Sequence, residues 1–137
     1  MEDIKYAIIC VDDEPLILQM LGFQIEKIIN QNTTLVESFE DPEDALQNIQ
    51  EIIDENIEIL AVIVDYQMPK LNGSELTRII KKKWENTPVI MVSGQANSSD
   101  VDQLISDEMI TAFIPKPWDE EELFSFLNPL ISKKQEA

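Results

Sequence analysis

Residues 60–73, LAVIVDYQMPKLNG, constrain this 137-residue chain more than any other stretch. Leu60, Ala61, Val62, Ile63 and Val64 form an unbroken apolar run, the pattern of a strand buried on both faces of a parallel sheet, and Asp65 ends it at once. Open α/β sheets keep their ligands at the carboxyl ends of their strands, so Asp65 stands where chemistry is expected. A lone acid there is ordinarily a turn former. Here two further apolar runs end in polar residues: YAIICV in Asp12 and Asp13, and PVIMV in Ser93 and Gly94.

Between these runs, apolar residues recur at helical spacing. Pro15 suits a first helical turn, and Ile17, Leu21, Ile25 and Ile28 predict a helix through Asn30, its buried face widened by Leu16, Met20 and Phe23. Residues 33–39 read as an outer strand. Asp41 and Pro42 then cap a second helix, with Ala45, Leu46, Ile49, Ile52 and Ile53 inward. A third helix opens at Gly73, Ser74 and Glu75, turns Leu76, Ile79 and Ile80 to the core, and closes on Lys81, Lys82 and Lys83, cations that complement a helix C-terminus.

A fourth helix starts near Ser98, Ser99 and Asp100 and has only Val101, Leu104 and Ile105 to bury, so weak attachment is expected. After a short strand at 111–114 comes Pro115-Lys116-Pro117-Trp118. Asp119 then caps a last helix with Leu123, Phe124 and Leu127 inward, which Pro129 should end or kink near Asn128. Alternating strands and helices over this length predict one doubly wound (βα)5 α/β domain with a five-stranded parallel sheet; right-handed crossovers leave few topologies, and of these the flavodoxin-like order 2-1-3-4-5 is the one expected. The domain is expected over residues 1–131, followed by a polar tail at 132–137 and leaving no room for a separate output module.

Twenty-seven acids against ten bases give a net charge of −17, which argues against direct binding of nucleic acid or an anionic membrane surface and favours a basic partner surface. The absence of histidine removes His-assisted catalysis, His metal sites and a phosphohistidine role. Cys10, the one cysteine, lies within an apolar run and reads as a packing residue; no internal disulfide can form. With neither a leader-like start nor a run of spanning length, a cytoplasmic location is expected.

In the expected sheet the strand ends bring Asp12, Asp13, Asp65, Ser93 and Lys116 to one edge. Two carboxylates about 4 Å apart repel by roughly 4 kcal/mol at an effective dielectric near 20, so the cluster calls for a cation or a raised pKa. Magnesium fits best, with manganese as the alternative, because it accepts a few carboxylates and leaves positions for a phosphoryl oxygen. Asp65 can then act as a carboxylate nucleophile toward phosphorus, with Lys116 and the Ser93 hydroxyl neutralising and orienting the phosphoryl group.

These residues carry a resemblance. VDDEP, VDYQMPKLNG, VSG and IPKPW are similar to the motifs of the receiver domain of two-component response regulators, of the chemotaxis-type stand-alone kind, and the likeness extends from about residue 4 to 131. The resemblance implies that Asp65 is the phosphoacceptor and that Asp12, Asp13, Asp65 and the Gln67 backbone carbonyl hold magnesium. Ser93 and Lys116 would hold phosphoryl oxygens, Phe113 would be the switching aromatic, and Gln67 and Gln95 would tune hydrolysis. A cis Lys116–Pro117 bond is implied as well.

The implied partners are a histidine kinase or phosphotransfer protein as donor and a downstream protein target or effector domain. The chain itself would be a monomer or weak dimer, since Pro129 disturbs the helix many receivers use to dimerise. Enzymatic action would extend no further than self-phosphorylation from small donors and autodephosphorylation. Alternatives are an aspartate-nucleophile phosphohydrolase, whose second aspartate is replaced here by Gln67, a flavodoxin-like cofactor binder, whose phosphate Asp12, Asp13 and Glu14 would repel, and a receiver-like scaffold that is never phosphorylated. The segment Gly94 to Glu108, with the fifth strand, is the expected signalling element.

Overall fold

The structure, a computed structural model, describes residues 3–94 and 99–135. Strands and helices alternate: β1 (Tyr6–Val11), α1 (Pro15–Glu26), β2 (Thr34–Phe39), α2 (Pro42–Asp54), β3 (Glu58–Asp65), α3 (Gly73–Lys83), β4 (Val89–Ser93), α4 (Ser99–Ser106), β5 (Ala112–Pro115) and α5 (Glu120–Gln135). All strand pairs are parallel and the sheet order is β2-β1-β3-β4-β5, the flavodoxin-like order expected. The central strands are apolar throughout because helices cover both faces. Ile63, Val64, Ile90 and Met91 have no exposed surface.

Each face has its own core. On one, Ala7, Ile9, Val62, Val64 and Met91 pack with Ala45 and Ile49 of α2, Leu76 and Ile80 of α3, and Val101 and Leu104 of α4. On the other, Ile8, Cys10, Ala61, Ile63, Ile90 and Ile114 meet Leu18, Leu21 and Ile25 of α1 and Leu123, Leu127 and Ile131 of α5. Strand alternation is interrupted once: β1 pairs Ala7 with Ile59 but Ile8 with Ala61, so Leu60 is an extra residue on β3 and sits on the same face as Ala61. That single-residue shift reverses the facing of everything after it on β3 relative to β1.

The helices depart from expectation in three places. Leu16 and Phe23 are 77% and 67% exposed and Met20 is 38% exposed, so they do not widen the buried face of α1; Leu18 takes that place, and the helix stops at Glu26. In α4, Val101 and Leu104 are buried but Ile105 is half exposed. Finally, α5 runs through Pro129 to Gln135, so the expected polar tail begins as helix. An internal proline costs a helix about 3 kcal/mol. Continuation here is held by Ile131, 2% exposed against the sheet, with Leu130 beside it. No helix among the described residues is long and apolar enough to cross a membrane.

Candidate functional site

Strand parity assembles the site. The series Ile8–Cys10, Ala61–Ile63 and Ala112–Ile114 all point to the α1/α5 face, and stepping two residues along each leads to Asp12, Asp65 and Lys116. Without the extra residue at Leu60, Asp65 would fall out of step with Asp12. As built, the Lys116 ammonium lies 3.1 Å from Asp12 Oδ2 and 3.2 Å from Asp65 Oδ1. Asp12 is fully buried and Asp65 is 3% exposed. Asp12 Oδ1 also accepts the Glu14 backbone N–H at 2.8 Å, which fixes the turn after β1.

Ser93 and Phe113 belong to the opposite parity. Phe113 pairs in register with Met91, two residues before Ser93, and packs partly buried on the α3/α4 side. Ser93 is fully buried at the end of β4, and its carbonyl accepts the Lys116 backbone N–H at 2.7 Å. Asp12, Asp65 and the lysine thus sit toward α1 and α5, while the hydroxyl and aromatic of the expected switch belong to the face that α4 covers. Gln67, two residues after Asp65, is exposed. Gln95 and Ser98 lie outside the described residues.

Charge in the pocket is out of balance. Burial and then the Asp12 carboxylate push Asp65 up to about 6, against the lowering pull of Lys116 and the Gln67 backbone N–H. Burial likewise raises Asp12, opposed by the Glu14 N–H and by Lys116. For Lys116 burial alone would lower the ammonium, but its hydrogen bonds and charge contacts with Asp12 and Asp65 outweigh that and raise it. One buried cation does not neutralise this set. Oxygens of Asp12, Asp13, Glu14 and Asp65 lie within 4.8 Å of one another. An all-carboxylate donor set with unmet negative charge suits a hard divalent cation. The residues present therefore fit magnesium, which receiver domains bind in an acidic pocket.

Three features here were not singled out from the sequence. Glu14 joins the cluster, its Oε1 3.6 Å from Lys116 Nζ; its place in the run VDDE was visible but its approach was not. Trp118 donates its indole N–H to Gln24 Oε1 at 2.9 Å, tying the loop of Lys116 to α1. The third is Gly73. A Cβ there would lie 2.5 Å from the Asp65 carbonyl oxygen and 2.7 Å from Tyr66 Cα, both backbone atoms, while its own N–H donates to the Tyr66 carbonyl at 2.8 Å.

At the start of a helix a Gly→Ala change usually gains stability, by up to ~1 kcal/mol. Gly73→Ala is expected to do the reverse, losing about 2 kcal/mol because α3 must back away from the end of β3. Urea midpoints of the two proteins check the sign.

A five-stranded parallel sheet in this order, with its acidic pocket at the carboxyl edge, defines the CheY-like branch of the flavodoxin architecture. The profile described as response regulator receiver domain matches residues 8–128. A protein of Arabidopsis thaliana named as a two-component response regulator is 28% identical over 132 residues, 96% of this chain and 20% of that protein. A homologue of the transcriptional regulatory protein CpxR from Haemophilus influenzae is 28% identical over 127 residues, 92% of this chain and 50% of its own. The crystal structure of a receiver domain protein from Clostridium thermocellum is 29% identical with a TM-score of 0.76, covering 95% of this chain and 97% of that one. This chain belongs to the response regulator receiver domain family, a signalling module of two-component systems, and spans a fifth and a half of the lengths of the two curated relatives.

Proposed function

We propose that the chain accepts a phosphoryl group on Asp65 and signals through the face that α4 covers. The observation that carries this is the buried Asp65 carboxylate held 3.2 Å from Lys116 within a cluster of four acids. One Asp65 oxygen attacks phosphorus; the P–N bond of a donor phosphohistidine breaks, and its electron pair returns to the imidazole. With acetyl phosphate the P–O bond breaks and acetate leaves. Asp12, Asp13, Asp65 and the Gln67 carbonyl would hold magnesium, which supplies charge neutralisation at the phosphoryl oxygens. Lys116 gives a fixed ammonium to the same charge, and the Ser93 hydroxyl donates to a phosphoryl oxygen. Gln67 and Gln95 tune the access of hydrolytic water.

A phosphoryl group adds about −1.5 to −2 charge and one to three strong hydrogen bonds. Such bonds, at roughly 1.5–3 kcal/mol each, can reach the ~5.5 kcal/mol that carries a two-state equilibrium from 1:99 to 99:1. Ser93 and Phe113 share the parity that faces α3 and α4, which supports a path from the phosphoryl oxygens to α4 and β5.

The donor is a histidine kinase or phosphotransfer protein. Its docking surface in this reading is the exposed stripe of Leu16, Met20 and Phe23, spaced four and three residues apart along the helix that starts directly after Asp12, Asp13 and Glu14. The output is binding to a protein target, in the cytoplasm.

The test is incubation with magnesium and acetyl phosphate followed by intact mass. A single phosphoryl adduct on the wild type, absent with chelator and absent from Asp65→Asn, is expected. An adduct of equal yield on Asp65→Asn would overturn the assignment.

A further inference from the structure

Tyr66 follows Asp65 and is anchored at both ends of its main chain. Its N–H donates to the Val92 carbonyl of β4 at 2.9 Å, and its carbonyl accepts the Gly73 N–H of α3. Its ring packs, partly buried, on the α3/α4 side of the sheet. Its hydroxyl reaches Asp100 Oδ2 in the first turn of α4 at 3.0 Å. The other oxygen of the same carboxylate accepts from the hydroxyl of Ser74, a residue 3% exposed, at 3.0 Å, with Arg78 Nη2 at 3.8 Å. Arg78 also lies 3.8 Å from Asp107, just past the other end of α4. Three side chains, one from the loop after β3 and two from α3, therefore converge on one carboxylate of α4.

That convergence matters because α4 buries little of its own surface. The helix has eight residues, of which only Val101 and Leu104 are buried. Tyr66, by contrast, has its main chain fixed between β4 and α3 and its ring packed against the core on the α3/α4 side, so its hydroxyl offers α4 a well-placed partner one residue from Asp65.

We infer that Asp100 is a positioning residue: through the Tyr66 hydroxyl it ties the resting place of α4 to the loop that carries Asp65 and Gln67. The inference rests on the reading of Asp65 as phosphoacceptor and adds how that site is coupled to the helix. Coupling is reciprocal, so whatever loosens α4 also changes how strongly the loop accepts a phosphoryl group. A bond that holds α4 to the loop opposes any shift of α4 that phosphoryl binding demands, so breaking it favours phosphoryl binding.

The experiment uses the full chain with Tyr66→Phe, which removes one oxygen atom, with Asp100→Ala, and with the pair. Amide exchange across residues 101–106 is measured without ligand, and affinity for magnesium with beryllofluoride, a phosphoryl mimic, is measured by titration. Each single variant is expected to speed exchange in α4 by about tenfold, and the pair by scarcely more than the Asp100 change alone, since both break the same bond. Each is also expected to tighten beryllofluoride binding by roughly threefold or more.

Unchanged exchange in α4 would overturn the tie. Faster exchange with unchanged beryllofluoride affinity would reduce Asp100 to a stability contact and overturn its positioning role. Failure of the wild type to bind beryllofluoride at all would overturn the reading of Asp65 itself, and the ligand-free exchange rates tell that failure from the other two.

Discussion

Asp65→Asn is expected to abolish the phosphoryl adduct and, at neutral pH without metal, to raise the unfolding temperature. The second effect follows from the raised pKa of Asp65, about 6 in the folded protein against an ordinary 3.8. Below the unfolded value the carboxyl is neutral in both states and costs nothing. As pH rises through 4 to 6 the unfolded chain releases its proton first, so the fold loses stability across that window and stays at the lower level above it. Two pKa units correspond to roughly 3 kcal/mol, and the loss of the Lys116 contact in the variant returns part of that. A net gain of about 2 kcal/mol, or roughly 5–8 °C, is expected near pH 7.5, shrinking to nothing near pH 4. Thermal melts with chelator at the two pH values measure it. Magnesium should narrow the gap at pH 7.5 by stabilising the wild type. A lower melting temperature for Asp65→Asn at pH 7.5 would count against the electrostatic account of the pocket.

Lys116→Met should move stability the other way. The ammonium is the counter-charge of two buried carboxylates, and its side chain is only 15% exposed. Removing one partner of a buried ion pair leaves charge with no compensation, at a cost of about 3–5 kcal/mol. The loss is expected near the lower figure, because Asp65 can take up a proton. It should therefore shrink as pH falls below about 6 and the carboxyls neutralise. Divalent cation at millimolar concentration should restore much of the loss, as any ligand selective for the folded state does. Phosphoryl uptake, which needs the ammonium itself, should stay down by roughly 10²-fold even when stability returns. Urea midpoints with chelator and with magnesium, read beside adduct yield, separate the two roles.

The sheet and the acidic edge were legible in the sequence because a parallel strand buried on both faces has to be apolar, and a polar residue at its end marks the edge. Asp12, Asp13, Asp65, Ser93 and Lys116 were each placed at a strand end by that logic. The burial of α1 was not legible. Nearly every position from Leu16 to Phe23 is apolar, so spacing admits more than one inward stripe, and only packing chooses Leu18 and Leu21 over Leu16 and Phe23. The helix does not end at Pro129 because the local backbone rule meets a tertiary contact, Ile131 on the sheet, that local sequence does not display. Gly73 and Asp100 depend on distances across the chain: Asp100 meets residues 34 and 26 positions away. Their residue types alone say cap and helix start, and nothing of each other.

Cys10 sits fully buried two residues before Asp12, and burial together with the Asp12 carboxylate pushes its thiol up to about 12. At physiological pH it offers almost no thiolate and no access, so it is chemically silent toward alkylating and disulfide-forming reagents. The chain is in that respect a cysteine-free background without having been mutated. A thiol introduced on the half-exposed face of α4, as in Ile105→Cys, would carry a fluorophore or spin label alone, and the native residue beneath the acidic pocket could stay in place during the measurement.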